Sequence, residues 1–149
     1  MRLADDIWQT VRHALPIPCV DLVVIGEAAR VLMVERCIFP LGWWFPGGRV
    51  LLREARVEAA RRKLREECGL HAVALEEWGT HDLVFDGEVP PEGAPHAITT
   101  MFRVRTETGP VVLDDQSARY DWRTPAEWLR EITHPFLRGG LERAARLAP

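Results

Sequence analysis

Apolar positions recur along the chain with two different periods, and each change of period marks a boundary between elements. In LADDIWQTVRHAL, Leu3, Ile7, Val11 and Leu15 fall one helical turn apart, and Pro16 and Pro18 follow, which predicts a short N-terminal helix. CVDLVVIG and RVLMVER are rich in β-branched residues and flank the turn-like GEAA, so they read as a strand hairpin. LGWWFPGGRV reads as a loop, because Pro46, Gly47 and Gly48 interrupt regular structure. Residues 54 to 67 lack Gly and Pro and set Val57, Ala60 and Leu64 on one stripe, the pattern of an amphipathic helix that Gly69 ends. HAVALEEWGTHDLVF and HAITTMFRVRTET have strand character, with the Pro- and Gly-rich DGEVPPEGAP between them as a mobile loop. PVVLDDQSARYDWRT gives a further short strand or turn. Thr124 caps a helix with Pro125 at its first position, and HPFLRGGLERAARLA forms the last helix.

Composition narrows the class of protein. A length of 149 residues with 47% hydrophobic content suits one soluble globular domain spanning residues 1–149. The net charge of -3 offers no overall field for nucleic acid or an anionic membrane, so an acidic substrate needs a local basic site. Cys19, Cys37 and Cys68 have neither disulfide nor zinc spacing, which points to a reducing compartment. The N-terminus is too polar for a secretory signal, and no stretch has the ~18 apolar residues of a membrane span. The expected location is cytoplasmic.

The candidate chemistry gathers on the central helix. At ~100° per residue, Arg62, Lys63, Glu66 and Glu67 share a sector, and Lys63 is the only lysine in the chain. One reading is a solvated face with i to i+4 ion pairs, Arg62 with Glu66 and Lys63 with Glu67. The other is a pair of hard oxygen ligands for Mg²⁺ beside a glycine loop. Trp43, Trp44 and Phe45 precede that loop and serve either core packing, for at least two of them, or stacking on a ligand. Trp8 and Trp122 read as structural. His81 and His96 are either ordinary hydrogen-bonded histidines or a base or sugar contact.

Spacing decides between these readings of the helix. Gly48, Glu54, Arg62, Leu64, Glu66, Glu67, Gly69 and Leu70 meet eight of the nine fixed positions of the Nudix box, G-x5-E-x7-R-E-U-x-E-E-x-G-U, where U is aliphatic. The chain thus resembles the Nudix hydrolase family. The resemblance implies an α/β fold, an αβα sandwich with a mixed β-sheet between helices. It also implies Mg²⁺, with Mn²⁺ as the alternative ion, held against a nucleoside diphosphate linked to another moiety. The departure is Lys63, which stands where the box has its first glutamate; a cation there should repel a metal. Its ammonium is expected to pair with Glu66 or Glu67 and to take the place of a second ion.

The GDP-mannose mannosyl hydrolases lack the same glutamate. LADDIWQTV, Asp21, Arg36, GWWFPGGRV and DDQSARYDW resemble their segments in order. That resemblance implies a metal held by Gly47, Glu67 and Gln116, with Glu66 as an auxiliary group. Arg36, Arg49 and Arg62 would meet the diphosphate, Asp21 the base or sugar, and a homodimer would form through the N-terminal segment. The subfamily's general base is a histidine after the glutamine, where this chain has Ser117. Two chemistries therefore stay open: attack of water at the sugar carbon, or attack at phosphorus with Glu66 or Glu54 as base. A Nudix-fold regulator that binds a nucleotide derivative without cleaving it is the alternative class.

Overall fold

The computed structural model describes residues 3–147. Its elements are α1 (Asp5–Ala14), β1 (Ile17–Ile25), β2 (Val31–Arg36), β3 (Gly42–Trp44), β4 (Gly47–Arg49), α2 (Arg56–Cys68), β5 (Ala72–Val84), β6 (His96–Thr106), β7 (Ser117–Arg123), α3 (Pro125–Leu129) and α4 (Pro135–Leu147). The strands form one seven-stranded mixed sheet. Its path runs β3-β2-β1-β6-β5, with β4 paired to β1 and β7 to β2. The β1–β6 pair is parallel and the others are antiparallel.

Strand alternation explains the layers. Val20, Leu22 and Val24 of β1, with Leu32 and Val34 of β2, pack against Ala59, Ala60, Leu64 and Cys68 of α2. Val23, Val31 and Met33 point to the opposite face, where Trp128 of α3 and Leu137 and Leu141 of α4 cover them. Continuous apolar runs such as LVVI suit strands buried on both faces. The expected αβα sandwich is the fold observed.

Four local expectations need correction. LGWWFPGGRV is not all loop, since β3 and β4 lie within it. Gly47 pairs with Asp21 of β1 so closely that a Cβ on it would stand 2.2 Å from the Val20 carbonyl oxygen. Helix α2 buries Ala59, Ala60, Lys63, Leu64, Glu67 and Cys68, while Val57 is 37% exposed, so the buried stripe includes part of the charged sector. In α1 the apolar Ile7 is 51% exposed, Leu15 just past the helix is 62% exposed, and the buried residue is Arg12. Finally, the loop over residues 86–95 is tied down: Trp8, Gln9 and Arg12 donate to the carbonyls of Val89, Pro90, Pro91 and Gly93. The caps are as predicted, with Gly69 left-handed at the end of α2 and Thr124 accepting from the Glu127 amide at the start of α3.

Candidate active site

The site grows from the junction of β1, β4 and α2. Gly47 places its backbone N–H on Glu67, donating to Oε2 at 2.8 Å. Glycine is required at the next position too, because a Cβ on Gly48 would meet Lys63 Cε at 2.5 Å. The lysine stem thus lies directly under the glycine loop. Its ammonium stands 3.5 Å from Glu66 Oε2 and 3.9 Å from Glu67 Oε1, the pairing expected of it. Arg36, at the end of β2, comes within 3.5 Å of the same Glu67 Oε1.

Glu67 Oε1 is buried and accepts no hydrogen bond. Burial pushes the Glu67 carboxyl up from its usual range, while Lys63, Arg36 and the Gly47 amide act against that rise. A buried carboxylate oxygen that accepts no hydrogen bond is a free acceptor, open to one bound cation or to a ligand hydroxyl that donates to it. Among the described residues no cluster of three His, Cys, Asp or Glu side chains could hold a metal. Gly47 and Gln116 line the inner cavity above Glu67, and a carboxylate with neutral oxygens is the donor chemistry that a hard divalent cation takes.

Arg62 organises the helix against the loop. It donates twice to Glu54, at 2.7 and 3.0 Å, once to Glu66 at 3.1 Å, and once to the Arg49 carbonyl at 2.9 Å. Glu54 also accepts from the Leu51 amide, and the Arg62 bonds hold its carboxyl below the usual range. Glu54, named above as a possible base, is thus engaged in the Arg62 ion pair. Glu66 is half exposed, tied to Arg62 and Lys63.

Two joined cavities open from this cradle. The inner one, about 210 Å³, is lined by Asp21, Arg36, Trp44, Gly47, Lys63 and Gln116 among others. The outer one, about 750 Å³, adds Arg62, Glu66 and Asp115, and shares Trp8, Arg49, Lys63, Glu92 and Gln116 with the inner. Of the residues anticipated from sequence, Asp21, Arg36, Trp44, Arg49, Gly47, Arg62, Glu66 and Gln116 line one or both cavities, whereas Glu67 and Glu54 line neither. Asp21 is buried on the α4 face of β1, accepting from Thr99 Oγ1 at 2.6 Å and from Trp44 Nε1 at 3.0 Å. Burial pushes its carboxyl up to about 7, against those two bonds. Of the aromatic trio, Phe45 is core, Trp44 is buried yet faces the cavity, and Trp43 lies between Trp128 and Arg119.

Trp8, Phe85 and Glu92 are among the lining residues that sequence reading missed. Trp8, expected to be structural, covers the Arg49 guanidinium at 4.4 Å and lines both cavities. Phe85 and Glu92 arrive from the segment after β5, and nothing in their local sequence marks them. No histidine of the described residues lines either cavity. His81 packs on Phe136 and His96 sits 3.7 Å from Asp82. Ser117 pairs with Arg36 across β7 and β2.

Comparison with known proteins places this geometry. The NUDIX domain model matches residues 15–143. The chain belongs to the NUDIX family. The expectation of a Nudix hydrolase is borne out at that level, as is the fold. The chain is 28% identical over 139 residues to the low-salt glycan biosynthesis protein Agl8 of Haloferax volcanii, covering 91% of this chain and 86% of Agl8. Among solved structures, a Caenorhabditis elegans Ap4A hydrolase binary complex superposes with TM-score 0.71 at 16% identity, over 87% of this chain and 96% of that one. The NUDIX domain of Shewanella oneidensis NrtR, complexed with ADP ribose, gives 0.70 at 20% identity, over 98% and 97%. The Nudix match begins at Leu15, so α1 lies outside it. No described helix is long and apolar enough to cross a membrane.

Proposed function

We propose that this chain hydrolyses a nucleoside diphosphate linked to another moiety, a nucleotide sugar such as GDP-mannose, with Mg²⁺ or Mn²⁺ as cofactor. The observation that carries this reading is the unbonded, buried Glu67 Oε1 beside Arg36 and Lys63, at the floor of a cleft that Arg49 continues outward. An anionic diphosphate complements that row of cations, although the chain as a whole is acidic. Likeness to a glycan biosynthesis protein over most of both chains supports a nucleotide sugar.

In this reading Gly47, Glu67 and Gln116 hold the ion, with Glu66 as auxiliary group. Bound there, it stabilises negative charge developing on phosphate oxygens. Arg36 and Arg49 contact the diphosphate and neutralise the leaving group. Arg62 keeps Glu54, Glu66 and the Arg49 carbonyl in register, so the cradle is set before substrate arrives. Asp21 and Trp44 form the wall that meets the sugar or base. Lys63 fills the position of a further cation, so one ion binds per chain. Residues 1–149 act as one cytoplasmic domain, and the apolar residues exposed on α1 support a homodimer through that segment, measurable by analytical ultracentrifugation.

The bond broken follows from where a base stands. Attack at the sugar carbon requires a base in the inner cavity, whose carboxyl side chains are Asp21 and Glu92. Attack at phosphorus is the second reading, favoured by Glu66 in the outer cavity beside Arg62 and Lys63. The test is Mg²⁺-dependent turnover of GDP-mannose, ADP-ribose, UDP-sugars and nucleoside triphosphates in ¹⁸O-labelled water. Label in free sugar with release of a nucleoside diphosphate supports the first chemistry, and label in a monophosphate the second. Nucleotide binding without any turnover would contradict both.

A further inference from the structure

Helix α1 carries a buried arginine for which the chemistry above has no use. Arg12 is 7% exposed and donates from Nε to the Gly93 carbonyl at 2.7 Å and from Nη2 to the carbonyls of Val89 and Pro90 at 3.1 Å each. Trp8 Nε1 and Gln9 Nε2 both donate to the Pro91 carbonyl at 2.8 Å. Five bonds thus seat one short loop on one helix. Gly93 is pressed onto the next layer, since a Cβ on it would meet Phe39 at 2.5 Å. The Phe39 carbonyl in turn accepts from Arg36, and Trp8 covers Arg49. The loop so fixed carries Glu92, exposed and on the lining of both cavities, which Arg49 also lines.

A carboxylate carried on a fixed loop into the wall of a cationic cleft discriminates by charge. It accepts hydrogen bonds from hydroxyl groups, and it repels a phosphate brought to the same place. Four backbone carbonyls facing one helix would otherwise be left to water, and the loop with them would be free to carry Glu92 away. We propose that Glu92 is a specificity-determining residue and that Arg12 is the positioning residue that holds it: together they favour a neutral, hydroxyl-bearing group on the diphosphate and reject a third phosphate. The proposal rests on the nucleoside diphosphate reading above.

The test compares kcat and KM for GDP-mannose and GTP in the wild type, Glu92→Gln, Arg12→Lys and the double variant, with hydrogen exchange read over residues 86–95. Glu92→Gln should shift the kcat/KM ratio toward GTP about tenfold, mainly through the KM for GTP. Arg12→Lys should speed loop exchange and move the same ratio the same way, and it should add nothing in the Glu92→Gln background. An unchanged ratio in Glu92→Gln, or additive effects in the double variant, overturns the proposal. Should Arg12→Lys fail to fold, Gln9→Ala removes one bond to Pro91 and takes its place in the cycle. If the wild type turns over none of the compounds of the panel above, the functional reading fails separately. The ratio is then read as GDP against GTP affinity by calorimetry, and an unshifted ratio or no binding of either nucleotide again overturns the proposal.

Discussion

Two arginines, each tying a helix to a loop, solve the same problem with different partners. Arg62 on α2 is held by the carboxylates of Glu54 and Glu66, and Arg12 on α1 by neutral carbonyls. A carboxylate partner must be a particular residue at a particular distance along the chain, so the pairing leaves a mark in the sequence. A carbonyl partner is offered by every residue and leaves none. The Nudix box is in this sense a record of the Arg62 network, and α1, outside the region the family model matches, has no such record. Asp21 adds a third arrangement, a buried acid whose hydrogen-bond partners are neutral donors, Thr99 and Trp44.

Differences in partner chemistry predict different responses. The largest is in pH. Asp21 rises from 3.8 to about 7 on folding because burial disfavours its charge, so the folded state holds the proton more tightly than the unfolded chain. Its contribution is full below about pH 4 and is lost as pH rises toward 7, a change of about 4 kcal/mol at ~1.4 kcal/mol per unit. Glu67, also raised by burial, acts in the same direction. The melting temperature of the ion-free protein should fall from pH 5 to pH 8, and Asp21→Asn should flatten that fall; an unaltered profile would count against the buried-acid account. The Arg12 clasp, built on neutral carbonyls, should show no such dependence in the protection factors of the loop.

Next in size is Arg62→Ala, which frees Glu54, Glu66 and the Arg49 carbonyl at once. Turnover should drop about 100-fold, because the cradle loses its register rather than a single contact. Arg62→Lys should recover only part of that activity, since one ammonium cannot reproduce the paired bonds to Glu54. The smallest effect lies far from both arginines. Ala28 and Ala29 hold φ of 54° and 56° in the turn between β1 and β2, the left-handed region that favours glycine. Ala28→Gly should raise stability by about 0.5 kcal/mol in chemical denaturation, with activity unchanged.

How much of this was legible followed from whether the signal was local. The α2 spacing, the Gly69 stop and the Thr124-Pro125 start are short-range features and were readable. Asp21 was visible as one acid in an apolar strand, and its role in the cleft follows from that strand being buried on both faces. The GG strand was unreadable because its pairing depends on β1 approaching within a distance only glycine allows. The apolar stripe of α1 misled, since Ile7 and Leu15 face outward while Arg12 is buried against a loop some 80 residues away. Glu92 lies in that loop, and its place in the cleft comes from those long-range bonds.

The central claim is that the cradle combines one divalent ion with Lys63 as a built-in second cation. Counting Mn²⁺ by calorimetry and electron paramagnetic resonance tests it directly, in the wild type, Glu67→Gln and Lys63→Glu. The account predicts one ion per chain in the wild type, none in Glu67→Gln and a second in Lys63→Glu. Equal stoichiometry in the wild type and Lys63→Glu, or retained binding in Glu67→Gln, would contradict it.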